Sequence, residues 1–468
     1  MIDVPLSEVA AIVGAVLPDG WAPGTGVRVT ADVEVDSRLI APGGLFVALP
    51  GEHTDGHDHA GSAVAAGAVA VLSARPLEGL PCLVVDDPLA AMQALARALW
   101  VRTPPPLTFG ITGSSGKTTT KDLLAQVLGA AGPTLSPPGS FNNEVGMPLT
   151  ALRRTVATRF AVLEYSARGV GHIALLRGLV QPDVAIVLNI GSAHLGEFGS
   201  REAIAQAKGE LLEGPSRLNV LNADDGLVLA QAGRGSGRVL TFGTTSFADV
   251  RAEGLELDED GRPSFRLVTS GGSADVAMQL RGAHSASNAL AVAAAVLGSD
   301  TGLDVDGVAK ILSRAEPLSR WRMEVTERPD GVTVVNDAYN ANPESMRAAL
   351  RTLAVMSRGK ARRTIAVLGL MAELGEDARE AHMDLGRFLV RLDITQLVVV
   401  GPEAGGIHAG AVLEGSWGSE SIHVADIEQA LALLASELAP GDVVLVKGSR
   451  SAGLERVAAA LLAPTLGA

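Results

Sequence analysis

The sequence predicts an α/β protein of three domains. A chain of 468 residues is too long for a single hydrophobic core. Short apolar runs of strand length alternate with helical patterns in two long stretches. Proline-bearing segments separate those stretches from each other and from what precedes them. The expected units are residues 1–103, 104–318 and 319–468, the central one built on a mostly parallel sheet and the last a Rossmann-like α/β unit.

The first unit ends in the helical pattern "PLAAMQALARALW", and "VRTPPPLTF" follows it; three consecutive prolines cannot continue a helix. Its Cys82, the only cysteine, lies in the apolar run "PCLVV", which excludes an internal disulfide framework and a cysteine-based zinc site and leaves a buried thiol. The hydrophobic content of 47% suffices for packed cores, and the net charge of −14 argues against a nucleic-acid-binding surface. With no long continuous apolar run and no basic start to "MIDVPLSEVAAIV", a cytoplasmic protein without a membrane span is expected.

The central unit opens with "LTFGIT", a short buried strand, and continues into "GSSGKTTT" and a helix marked by Leu123, Leu124, Val127 and Leu128. The strict motif G-x-x-x-x-G-K-[ST] would put its first glycine at Ile111, whereas Gly110 stands one place earlier. The physics of the junction is nevertheless that of a phosphate site. Unpaired N–H groups and the positive end of the helix dipole face the anion, glycines admit the backbone, Lys117 adds charge, and Thr118 offers a hydroxyl to magnesium. A central P-loop ATPase domain follows from this reading.

"RFAVLEY", "DVAIVLNI" and "RLNVLN" supply further strands. Glu164, ending the first of them, is either a magnesium ligand or a solvated strand-end carboxylate. His194 follows a strand in a glycine-rich loop, and Ser200 is an N-cap candidate for the next helix. On that helix Lys208 lies beside the stripe Ile204, Ala207, Leu211 and Leu212. It either snorkels to solvent or is held desolvated, and a neutral amine can take up carbon dioxide as an anionic carbamate. Asn288, in "GAHSASNALAVAAAVLG", either reads an adenine edge or caps the turn into an alanine-rich helix.

The third unit restarts near "RAEPLSRWRM". "GVTVVND", "TIAVLGL", "QLVVVG" and "DVVLVKG" read as buried strands, with Asp337, Gly369, Gly401 and Lys447 at the edge where open α/β sheets bind ligands. Arg320 and Arg322 stand at the joint, where a guanidinium can bridge phosphates from one domain to another, and Asp337 is placed for a ribose hydroxyl. Asn340 and Asn342 in "NDAYNANPES" are ligand groups or turn formers.

Taken together, these motifs resemble the Mur ligases, the ATP-dependent amide-forming enzymes of peptidoglycan precursor synthesis, over essentially the whole chain. "GITGSSGKTTT" is similar to the family's shifted phosphate loop, which implies that Gly113, Ser114, Ser115, Gly116, Lys117, Thr118 and Thr119 hold ATP. "AQAKGEL" matches the motif whose lysine is carbamylated, so the resemblance makes Lys117, Lys208 and His194 catalytic. It gives magnesium to Thr118, Glu164, His194 and the Lys208 carbamate, adenine to Asn288, and nucleotide contacts to Arg322 and Asp337. "DSRLIAPGGLFVALPGEHTDGHDHA" looks like the uridine-nucleotide-binding N-terminal α/β domain of the two later ligases. That implies Ser37, Arg38, Asp55 and Gly56, with Asn142, Asn143 and Glu144 of "NNEVGMPLT", for a UDP-linked substrate.

"YNANPESM" lacks the arginine of the third-residue ligases and is similar to the dipeptide-adding branch. The implied substrates are UDP-N-acetylmuramoyl-tripeptide and D-alanyl-D-alanine, the latter held by Asn340 and Asn342, and a monomer is expected. A third-residue ligase using diaminopimelate or lysine, and an ATP-gated binding module, are the alternatives. Tyr165, Ser285 and Leu370 depart from the family pattern.

Overall fold

The computed structural model describes residues 3–17, 26–51, 54–192, 195–358, 362–415 and 420–463, excluding the side chain at position 358. Its N-terminal part holds a parallel sheet of four strands in sequence order, Val33–Glu34, Leu45–Val47, Ala70–Ser73 and Cys82–Val84. The helix Pro88–Val101 follows. Asp87 caps it by accepting from the N–H groups of Leu89 and Ala90 at 2.8 and 3.1 Å, and Pro88 fits the first turn, where an N–H would go unpaired. Met92, Leu95 and Leu99 bury one face of this helix.

That face belongs to a hydrophobic cluster running continuously from Val4 to Val228, so the N-terminal sheet and one face of the central sheet share a core. Polar clasps reinforce the seam. The buried Arg154 guanidinium donates to the carbonyls of Trp100, Thr103 and Pro104 and, at 2.7 Å, to the Thr103 hydroxyl. Arg153 reaches Glu34 at 2.8 Å.

The central sheet has nine strands. From one edge, Thr134–Leu135, Phe160–Glu164, Leu107–Thr112, Val184–Val187, Leu218–Asn222, Arg238–Gly243 and Val250–Leu257 run parallel. Pro263–Thr269 and Gly272–Ala277 then add antiparallel strands at the other edge. The apolar strand runs read from the sequence are present; the antiparallel extension was not among them. The alanine-rich helix Ala283–Leu297 packs in the core of the second face. It begins at Ala283, so Asn288 lies inside the helix and does not cap its entry, which corrects that alternative. Ser200 does cap its helix, accepting from Ala203 N–H at 3.1 Å.

The C-terminal sheet has the order Glu324–Glu327, Thr333–Asn336, Val443–Lys447, Thr364–Leu368, Gln396–Val400 and Ser421–Val424, parallel except at its first edge. Its two faces have separate cores. The joint before it contains two non-glycine residues in the left-handed region, Trp321 (φ 60°) and Met323 (φ 51°). Arg450 lies 4.4 Å over the Trp321 ring and Met323 N–H donates to Asp337 at 3.0 Å, contacts that hold this strained turn. Among the described residues no helix is long and apolar enough to cross a membrane.

Candidate active site

Parallel pairing brings the C-terminal ends of Leu107–Thr112, Phe160–Glu164 and Val184–Val187 to one edge, and the phosphate loop leaves from it. Two glycines in that loop are required by space. A Cβ on Gly116, whose φ is 81°, would stand 2.6 Å from Asn288 Oδ1, and one on Gly113 would stand 2.9 Å from Leu188 Cβ. The loop is stitched to its neighbour: Asn189 Oδ1 accepts from Ser115 N–H at 2.9 Å, and Ser114 Oγ accepts from Gly191 N–H at 2.9 Å. Lys117 Nζ donates to the Gly113 carbonyl at 2.6 Å. Desolvation pulls the Lys117 pKa down; Glu164 opposes the shift and Arg322 adds to it.

Glu164 is fully buried. One carboxylate oxygen accepts from Thr118, Ser140 and Asn142, each at 3.3 Å; the other, Oε1, has no partner. A buried carboxyl oxygen left unpaired beside a threonine hydroxyl suits a hard divalent cation, so the donor set fits magnesium. Lys208 is also buried, 3% exposed. Desolvation, aided by the charge of Lys117, sets its pKa well below the usual lysine value. The helix therefore holds Lys208 inward, as a desolvated amine, and the snorkelling alternative is excluded. His194 lies outside the described residues.

Around this centre lies a cavity of ≈ 620 Å³ with walls from the central and C-terminal domains. Asn288 lines it, with its buried amide nitrogen unpaired. From the other domain come Arg322, its guanidinium 4.2 Å over the Tyr339 ring, and Asp337, paired with Lys447 at 2.7 Å. His284 also lines the cavity, and burial lowers its pKa.

The remaining predicted residues divide into three groups. Asn142, Asn143 and Glu144 line the central cavity, Asn142 being committed to Glu164 and Ser140. Ser37, Arg38, Asp55 and Gly56 sit in the N-terminal domain and do not line that cavity. There Arg38 pairs with Asp36 at 2.6 Å, holding the Asp36 carboxyl down at about 2, and Asp55 caps a short 3-10 turn through His57 N–H at 3.0 Å. A Cβ on Gly56 would meet the Leu49 backbone at 2.7 Å.

Asn340 and Asn342 both line the cavity, on unequal terms. Asn340 is exposed; its carbonyl accepts from Lys447 at 2.9 Å. Asn342 is buried with both ends of its amide engaged, Oδ1 capping Ser345 N–H at 2.8 Å and Nδ2 donating to the Ser114 carbonyl at 3.4 Å. The turn-forming alternative thus describes Asn342 in this state.

Two of the departures from the family pattern are locally satisfied: Tyr165 donates to the Val180 carbonyl at 2.6 Å and Ser285 to that of Arg281 at 2.7 Å. Sequence reasoning passed over Ser140, Asn189 and Glu344. Asn189 lies just beyond the strand Val184–Val187, in the run "DVAIVLNI", a position that could have flagged it; Ser140 and Glu344 carry no local signal.

Three family models match: "Mur ligase family, catalytic domain" over residues 31–98, "Mur ligase middle domain" over 111–296, and "Mur ligase, glutamate ligase domain" over 321–450. The chain is 48% identical to UDP-N-acetylmuramoyl-tripeptide–D-alanyl-D-alanine ligase of Mycobacterium tuberculosis, covering 99% of this chain and 98% of the relative. It is 36% identical to the Escherichia coli protein of the same name, covering 98% and 99%. Among solved structures, MurF from Acinetobacter baumannii superimposes with a TM-score of 0.86 at 30% identity, covering 98% and 99%. MurF from Thermotoga maritima in complex with ADP gives 0.77 at 30% identity, covering 92% and 96%.

Proposed function

Because the chain belongs to the Mur ligase family, we propose that it joins D-alanyl-D-alanine to UDP-N-acetylmuramoyl-tripeptide, with ATP converted to ADP and phosphate, in cytoplasmic peptidoglycan precursor synthesis. The observation that carries the reaction class is one cavity in which a phosphate loop and cationic groups of a second domain converge, with the under-coordinated Glu164 behind its lining residues Thr118, Ser140 and Asn142. The choice of amine follows the name of the relatives and the absence of an arginine from "NANPES", which offers the neutral amides of Asn340 and Asn342. The working unit is a monomer with no nucleic-acid partner, divided at residues 103 and 318.

A carboxylate is a poor electrophile, and phosphorylation makes it a good one. The terminal carboxylate of the tripeptide attacks the γ-phosphate of ATP, ADP leaves, and the amine of the dipeptide attacks the acyl carbon. The tetrahedral species collapses to amide and phosphate. Lys117 and the loop N–H groups stabilise charge on the phosphoryl group in flight. Magnesium, when bound, would supply positive charge to the phosphoryl transfer; Thr118, Glu164, His194 and Lys208 as its carbamate would hold it. Addition of the Lys208 amine to carbon dioxide, with loss of a proton, would turn this buried side chain into an anionic ligand. Asn288 presents an amide to adenine, while Arg322 and Asp337 bind nucleotide from the C-terminal domain. Ser37, Arg38, Asp55 and Gly56 take the UDP moiety, Asn143 and Glu144 extend that path, and Asn340, with Asn342 once released, positions the dipeptide. No enzyme nucleophile is needed; the walls of the cavity align three substrates.

The test is ADP release with UDP-tripeptide, with and without D-alanyl-D-alanine. Dipeptide-dependent release together with a new amide supports the reading. Faster release with UDP-dipeptide plus free diaminopimelate or lysine overturns the choice of amine, and ATP turnover without either peptide substrate favours the nucleotide-gated module.

A further inference from the structure

One contact between the central and C-terminal domains engages both oxygens of a carboxylate. Ser192 follows the loop that is stitched to the phosphate loop through Asn189 and Gly191. Its N–H donates to Glu344 Oε1 at 2.9 Å and its hydroxyl to Glu344 Oε2 at 3.0 Å, so both carboxylate oxygens are engaged by one residue of the other domain. Glu344 lies in the first turn of the helix Pro343–Arg358, where the helix dipole favours an anion. The fit around it is tight: a Cβ on Gly191 would stand 2.8 Å from the Glu344 carboxyl carbon.

A second contact lies nearby. Gly196 N–H donates to the Glu373 carbonyl at 3.1 Å, and a Cβ on Gly196 would meet Gly375 N at 2.6 Å. Gly196 itself has no positive φ, so alanine there is strained only by the opposing domain.

We propose that Glu344 is a positioning residue that, with the Gly196–Gly375 contact, forms a two-point latch holding the C-terminal domain on the phosphate loop so that Arg322 and Asp337 reach the cavity. The latch rests on the ligase reading and adds to it a specific set of groups that close the site. A carboxylate accepting two hydrogen bonds is strong enough to favour the closed arrangement and weak enough to release it each cycle.

The test uses full-length Glu344→Ala, Glu344→Gln, Ser192→Ala, the Glu344→Ala/Ser192→Ala pair and Gly196→Ala. ADP release, thermal melting and small-angle scattering would be measured, the last with UDP-tripeptide and a non-hydrolysable ATP analogue. Glu344→Ala should lower kcat about tenfold with melting unchanged, and Glu344→Gln, which keeps one acceptor, should recover part of the loss. The double variant should be no slower than Glu344→Ala alone, because both act through one contact. Gly196→Ala, which adds a methyl group and removes nothing, should also slow turnover and leave the liganded protein more extended than wild type. Additive losses, an unchanged kcat in both Glu344→Ala and Gly196→Ala, or liganded scattering identical to wild type in both would overturn the latch. A wild-type protein that makes no amide would overturn the ligase reading instead, and scattering without turnover would still decide the latch.

Discussion

The two domain joints of this protein are built on opposite principles. Between the N-terminal and central domains, one hydrophobic cluster crosses the boundary and Arg154 ties down the linker carbonyls. Between the central and C-terminal domains, the hydrophobic clusters are separate, and the span includes single polar contacts such as Glu344 to Ser192 and Asn342 to Ser114. Its linker also carries the left-handed Trp321 and Met323. Apolar burial at about 25 cal/mol per Å² accumulates over a whole face, whereas each hydrogen bond adds about 1 kcal/mol net. The first joint is therefore a weld and the second a clasp. A three-substrate enzyme needs both, one to keep the UDP-binding and phosphate-binding surfaces in register and one to admit and release ligands.

This contrast predicts that substitutions at the clasp side and in the cavity change rate, while those at the weld change stability. Lys117→Ala should show the largest effect, lowering amide formation by about 10³-fold while moving unfolding stability by less than about 0.5 kcal/mol; near-normal turnover would remove Lys117 from the reaction. Leu95→Ala, in the shared core, should lower stability by about 3 kcal/mol in urea unfolding and leave the turnover of folded protein near wild type. A loss of rate without a loss of stability would show that the weld also moves.

Lys208→Met should lower turnover by about 10²-fold and flatten the pH dependence of stability. The folded wild type binds fewer protons than the unfolded chain between its depressed pKa and the ordinary 10.5, so its stability rises with pH through that window; the variant has no such rise. Labelled bicarbonate followed by carbon-13 NMR should show a carbamate in wild type only. The smallest effect belongs to the exposed pair in the N-terminal domain. Arg38→Ala should leave stability near wild type, because a solvated ion pair is screened, yet raise KM for the UDP substrate and leave KM for ATP unchanged.

The inner parallel strands of the two large sheets were legible because strands buried on both faces read as unbroken apolar runs, as in "FAVLE" and "VVLVK". Val250–Ala277 was not, since its hairpins carry exposed and charged residues that dilute the signal. Within the site, the loop around Lys117 was legible because one continuous segment builds it. Ser140 on Glu164, Asn189 on Ser115 and Glu344 on Ser192 bridge 24, 74 and 152 positions, and no local pattern announces such pairs. Lys208 shows the remaining limit. Its place beside an apolar stripe allowed two orientations, and only the packing of neighbouring elements decided between them.

The edges of the nine-stranded sheet bear on how the protein behaves at high concentration. One outer strand, Thr134–Leu135, is only two residues long; the other, Gly272–Ala277, is glycine-led and carries Asp275, and Ser313 Oγ accepts from its Ala277 N–H at 3.1 Å. A long, flat, apolar edge would template pairing with a second chain, and neither edge offers one. The sheet can thus be wide without seeding fibrillar self-association, and a crowded or overexpressed preparation should stay dispersed at the very face where a sheet this size is most exposed to aggregation.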